Sequence, residues 1–200
     1  LYAGCPDMTK SNLLSEIVET SQSFYPWNVN IRFTANSVIG RAKTVLVSCN
    51  YTEGAPRGEV IDENVFPNAD TSCMAAVYMN VVRENSSKEK FKYENLSMSL
   101  AMAASCEIPT LFPFSRDNLA HAVASTSAHE TGHLLGLVSE AYLGGKYNQH
   151  NPNNIINGWM MNSGSYTPCV YHLGSHSNRT RSWKPVNALY LRFILPKGDQ

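Results

Sequence analysis

Residues 128–137 read Ala128-His129-Glu130-Thr131-Gly132-His133-Leu134-Leu135-Gly136-Leu137. Histidines four apart on a helix stand one above the other on a single face, and the intervening Glu130 points into the same region. Imidazole nitrogens are good zinc ligands, and a carboxylate beside them can move protons. The pattern is therefore an HExxH zinc signature, with His129 and His133 as ligands and Glu130 as the acid–base group. With six His in 200 residues, it arises by chance with a probability of roughly 0.01, and the glycine at Gly136 lowers that further. Leu119, Val123, Ala124 and Leu135 extend the helix, and Asp117 or Asn118 can cap its start. Gly136 is placed to end it in a left-handed conformation. The chain then turns sharply, so that a third ligand can reach the metal from outside the helix.

Upstream, residues 9–25 carry Leu13, Leu14, Ile17, Val18 and Tyr25 at helical spacing. Asp7 or Thr9 is available as an N-cap and Pro26 closes the segment. Val29–Thr34 alternates apolar and polar residues, and Thr44–Cys49 is a β-branched run; both read as strands of a sheet packed on that helix. The stretch 53–70 is punctuated by Gly and Pro and reads as loop. Strand character returns at Cys73–Val82 and again at Leu96, Met98, Leu100 and Met102, whose period of 2 marks a core strand, not a methionine cofactor stripe. Downstream, 141–185 is rich in Asn, Gly, Ser and Pro and reads as irregular, and Val186–Leu195 reads as a helix packing under the site. The expectation is one α+β domain over 1–200, with an N-terminal lobe of about 1–137 and a C-terminal lobe of about 138–200.

Sixteen basic and sixteen acidic side chains cancel, and no run of one sign is long enough for nucleic acid or an anionic membrane surface. No stretch approaches the roughly 20 apolar residues of a membrane span. The start at Leu1 lacks a signal peptide's charged and apolar regions, as expected of a mature or trimmed form. Five widely spaced cysteines (Cys5, Cys49, Cys73, Cys106, Cys169) contain no CxxC pair. Disulfides and an oxidising, extracellular location are the expectation. An odd count leaves one thiol over. Cys5 is the candidate: Tyr2-Ala3-Gly4-Cys5 is faintly similar to a lipobox that would anchor the chain to a surface, and a free thiol can also serve as a latency ligand to zinc, but an ordinary disulfide or a spare thiol is the preferred reading. The sequons at Asn50, Asn85, Asn95 and Asn178 are about as many as composition alone supplies.

The zinc motif together with Asn157-Gly158-Trp159-Met160-Met161-Asn162 resembles the metzincin clan of zinc endopeptidases, and 128–137 is most similar to its reprolysin-like members. The resemblance spans 128–162. It implies a metzincin-like catalytic domain: a twisted mixed sheet with helices, an active-site helix and an irregular C-terminal subdomain. It also implies His129 and His133 as ligands, Glu130 as general base, and Met161, preferred over Met160, as the methionine turn beneath the metal. The clan's third ligand, three residues after the glycine, is Ser139 here, and a hydroxyl is a poor zinc ligand. His150 is preferred in its place, because it precedes Met161 by an interval close to that of compact metzincins. Glu140, which needs the helix to continue past Gly136, and His172 or His176 are the alternatives. A glutamate ligand on a later helix is excluded, since no Glu follows Glu140. His121 lies about 12 Å from His129 along a helix and cannot share the ion.

Zn2+ held by three such ligands keeps one position for water and lowers its pKa toward roughly 7. The function expected from this reading is a secreted zinc-dependent endopeptidase that hydrolyses peptide bonds of proteins or glycoproteins, acting as a monomer. Substrate would lie extended along Cys73–Val82 or a neighbouring strand, with Ser163–Thr167 walling a side-chain pocket and Tyr166 a candidate oxyanion donor. The alternative is a catalytically inactive zinc-fold binding domain that recognises a protein or glycoprotein.

Overall fold

The computed structural model describes residues 11–25, 29–35, 43–48, 58–60, 74–78, 116–137, 150, 158–162 and 181–195. These form a small mixed α+β arrangement of three helices and a three-stranded mixed sheet: α1 (Ser11–Ser23), β1 (Thr44–Ser48), β2 (Gly58–Val60), β3 (Met74–Tyr78), α2 (Arg116–Leu134) and α3 (Pro185–Ile194). The sheet order is β1-β3-β2, with β1 parallel and β2 antiparallel to β3. The expected strand at 96–102, all five cysteines, and the stretches 138–149 and 163–180 lie outside the described residues.

The apolar face of α1 buries Leu13 and Ile17, each contributing about 1.5–3 kcal/mol. That face meets chiefly α2. Ala120, Ala124 and Ala128 on α2 are fully buried, and their small side chains let the two helix backbones approach. Ser21 Oγ reaches the Ala124 carbonyl at 3.5 Å, and Tyr25 Oη donates to the Ala128 carbonyl at 3.0 Å. The sheet packs against α2 as well, so α2 is sandwiched between α1 and β3, which corrects the expectation that the strands pack on α1. A helix covered this thoroughly must satisfy its own polar groups. Thr126 Oγ1 and Thr131 Oγ1 do so by donating to the carbonyls of Ala122 (2.9 Å) and Ser127 (2.8 Å); such back-bonding is how Ser and Thr are accommodated inside helices. α2 begins at Arg116, so Asp117 and Asn118 fall in its first turn and not at its cap.

In β3 three consecutive residues, Ala75, Ala76 and Val77, are buried. Both faces of this central strand are therefore covered, and its alanines leave room for α2. Two other strand expectations change. Val29–Thr34 alternates as a strand does, but Val29 makes a single β-bridge and 30–34 are not in a strand: there the backbone is held by a side chain, with Gln22 Nε2 donating to the Ile31 carbonyl (2.9 Å) and Phe33 N donating to Gln22 Oε1 (3.0 Å). Conversely, the expected loop at 53–70 contains β2.

α2 stops as its sequence predicts. Gly136 has φ 81°, Gly136 N donates to the His133 carbonyl at 2.8 Å, and Leu137 N donates to the Gly132 carbonyl at 2.9 Å. These are the two bonds of a Schellman terminus. α3 starts with Pro185 in its first turn and docks through Leu191, while Tyr190 Oη donates to the Leu135 carbonyl at 3.1 Å. No helix among the described residues is long and apolar enough to cross a membrane.

Candidate metal centre

His129 and His133 leave successive turns of α2, and their Nε2 atoms lie 3.1 Å apart. His150 joins them from outside the helix. Its ring stacks on His129 (centroids 5.2 Å apart, planes at 14°) and stands edge-on to His133 at 5.2 Å. One nitrogen from each ring lies within 4.8 Å of the others, so the three can hold a metal ion. Ligands arranged tetrahedrally at about 2.05 Å from zinc are roughly 3.3 Å apart. The His129–His133 edge already has that spacing, and His150, the most exposed of the three, closes the rest with a movement of at most about 1.5 Å.

The donor chemistry fits too. The Met160 carbonyl, which can only accept, is 2.6 Å from His129 Nδ1. The proton therefore sits on Nδ1, and Nε2 keeps its lone pair for a cation. His133 bonds to the backbone of Leu137, which the Gly136 turn brings back beside it. Burial holds all three imidazoles neutral. His129 lies well below the usual histidine range, through burial first and then the fields of His133, Arg181 and His150. His133 is pushed down to about 3 by burial and His150, and His150 is lowered by burial and Arg181. Neutral imidazole is the form that binds a metal.

Glu130 is buried on the same helix, and burial raises its pKa to about 8, with Arg181 opposing the shift and Glu59 adding to it. Its carboxylate lies against the backbone of β2: a Cβ added at Gly58 would stand 2.7 Å from Oε1. Gly58 is thus the residue that makes room for the acid–base candidate.

The methionine segment lies beneath. Trp159 bridges Ser182 in parallel, with Met160 N donating to the Ser182 carbonyl (2.7 Å) and Ser182 N to the Gly158 carbonyl (2.9 Å). Both methionines are buried and divide the work: the Met160 carbonyl takes His129, and Met161 Sδ lies 2.6 Å from where a Cβ on Gly132 would be. Gly132 also faces the Trp183 ring, and Trp183 Nε1 donates to the Phe24 carbonyl at 2.7 Å. The guanidinium of Arg181, 4% exposed, runs under the same segment.

Sequence reasoning named His129, Glu130, His133, His150 and Met161, and the structure brings the three histidines together with Glu130 and Met161 around one end of α2. It missed Gly58, Arg181, Trp183 and the Met160 carbonyl. Gly58 carries a signal, a glycine before the β-prone Val60, but by composition it reads as loop punctuation. Nothing in the local sequence marks Arg181, because its partners are backbone carbonyls about 20 residues away and the Ser125 hydroxyl 56 residues away. Glu140, Ser139, His172, His176 and Tyr166 lie outside the described residues. No family model matches this chain, and neither the curated proteins nor the solved structures contain a match.

Proposed function

We propose that this protein is a secreted zinc-dependent endopeptidase of metzincin type, hydrolysing peptide bonds of proteins or glycoproteins. The observation that carries the reading is the convergence of His129, His133 and His150, with a buried Glu130 on the helix that carries the first two. Three neutral imidazoles form the donor set that catalytic zinc sites use. A zinc ion held there would supply Lewis-acid polarisation of the scissile carbonyl, a water of pKa near roughly 7, and charge favouring the carboxylate form of Glu130.

The chain's own residues do the rest. Glu130 accepts the proton of the attacking water at its carboxylate and returns it to the leaving amine nitrogen, so the peptide bond breaks without a covalent intermediate. Gly58 leaves the carboxylate in place against β2, and Met160 fixes His129 through its carbonyl. Of the two edge strands among the described residues, β1 and β2, β2 is the one that lies against Glu130, and we assign it the substrate-pairing role: an extended peptide adds to it through main-chain hydrogen bonds. The strand expected at Cys73–Val82 is instead the central one, β3, and its neighbour takes the part.

Cleavage-site profiling by mass spectrometry tests the proposal, using wild type and Glu130→Ala on a mixture of proteins and glycoproteins. Cuts made by wild type alone are expected. Zinc binding with no cut in any substrate would favour the inactive binding domain.

A further inference from the structure

We infer that Arg181 is a positioning residue for the metal site, acting on His129 through the Met160 carbonyl. The inference rests on the metal-binding reading of the three histidines and is independent of peptidase activity. One guanidinium nitrogen, Nη2, donates to the carbonyls of Met160 (2.5 Å), Asn162 (3.2 Å) and Trp159 (3.3 Å). The other, Nη1, reaches Ser125 Oγ on α2 at 3.3 Å. Arg181 thus ties the methionine segment to the helix one turn before His129. The same Met160 carbonyl is the acceptor for His129 Nδ1, so one oxygen is shared by the guanidinium and the ligand. A carbonyl has two lone pairs; Arg181 fixes the direction of one, and the other is left facing the imidazole. The partner of a ligand's distal nitrogen sets its tautomer and ring orientation. Backbone pairing of Trp159 with Ser182 holds Arg181 in register for this task.

The buried charge makes the assignment a contest between two effects of opposite sign. Arg181 repels positive charge on His129 and His150, so as a charge alone it disfavours a cation in the site. As a fork it favours one, by fixing the ligand. Lysine separates the two: it keeps the charge but cannot span Ser125 and three carbonyls with a planar fork.

The test measures zinc affinity of the full chain by competition with a chromophoric chelator, for wild type, Arg181→Lys, Arg181→Met and Ser125→Ala, with folding checked by circular dichroism. Long-range proton–nitrogen NMR reports the His129 tautomer in the metal-free proteins. Arg181→Lys should bind zinc more weakly than wild type, by up to the about 10- to 100-fold that losing a ligand's direct outer partner costs, and lose the fixed Nδ1–H tautomer. Folded Arg181→Lys with wild-type affinity and tautomer would overturn the inference. So would tighter binding by Arg181→Met beside an unchanged Lys variant, since charge alone would then explain Arg181. If neither variant folds, Ser125→Ala decides: it removes only the Nη1 anchor and should weaken zinc several-fold, and unchanged binding refutes the role. Wild type that binds no zinc defeats the metal reading itself, while the tautomer in Arg181→Lys still judges Arg181.

Discussion

Gly58→Ala places one methyl group against the acid–base candidate. The added carbon would lie 2.7, 2.9 and 3.0 Å from Oε1, Cγ and Cδ of Glu130, where carbon contacts prefer about 3.5–4.0 Å. Three atoms of one side chain are too close by about 0.5–1 Å, so the carboxylate must swing aside as a unit. Gly58 does not have positive φ, so alanine meets no backbone strain there, and the effect is confined to Glu130. Overpacking of this kind costs about 1–3 kcal/mol of stability, and a 1 Å misplacement of a reacting group costs about 100-fold in rate. Gly58→Ala should therefore keep zinc, as the histidines are untouched, and lose about 100-fold in kcat/KM on a peptide found by profiling. A double-mutant cycle sharpens the test. Glu130→Asp withdraws the carboxylate by one methylene and vacates the space, so adding Gly58→Ala to it should cost far less than in the wild type. Wild-type kcat/KM in Gly58→Ala, or full additivity in the cycle, would refute the reasoning.

Three further outcomes follow from the same contacts. Gly132→Ala forces a carbon to 2.6 Å from Met161 Sδ and 3.1 Å from Trp183 Cη2; alanine's better helix propensity offsets about 1 kcal/mol, but the melting temperature should still fall by several degrees in calorimetry. His150→Ala removes the one candidate ligand outside α2 among the described residues, so zinc and activity should vanish together, and full zinc occupancy measured by elemental analysis would exclude His150 as a ligand. Burial raises the pKa of Tyr25 well above 10 despite the opposing Thr131 bond. The folded state therefore keeps a proton that the unfolded chain releases, and stability holds below about pH 10 and falls above it by up to about 1.4 kcal/mol per pH unit. Tyr25→Phe should be less stable by about 1 kcal/mol at pH 8 for want of the Ala128 bond and should lack Tyr25's share of the alkaline loss in urea titrations. Parallel pH curves for the two proteins would contradict the assignment.

The parts of the molecule legible in sequence are those in which cause and effect lie within a few residues. The His129–His133 pair follows from helical periodicity, the α2 terminus from the φ that Gly136 accepts, and β1 from a β-branched run. The His150 placement was different in kind, since it came from resemblance and elimination. The misreadings share one origin: a long-range partner replaced the local default. Val29–Thr34 alternates as a strand would, yet Gln22 occupies the backbone groups of Ile31 and Phe33 that a neighbouring strand would have paired. Gly58 has the composition of a turn, yet it lies in a strand because β3 pairs with it.

Arg181 extends that contrast into the site itself. The HExxH spacing places two nitrogens 3.1 Å apart, but spacing cannot decide which nitrogen of His129 carries its proton, and a ligand in the wrong tautomer offers N–H to a cation. That choice falls to a carbonyl 31 residues along the chain, itself held by a guanidinium 21 residues further on. If ligand orientation is set this way, a motif search identifies the ligands while affinity is governed partly from outside the motif. Chains with the same ten residues but no donor equivalent to Arg181 would then bind zinc more weakly. Transplanting 128–137 alone into another helix should yield a site with the right ligands and poor affinity, recovered only when a carbonyl acceptor for the first histidine is built with it.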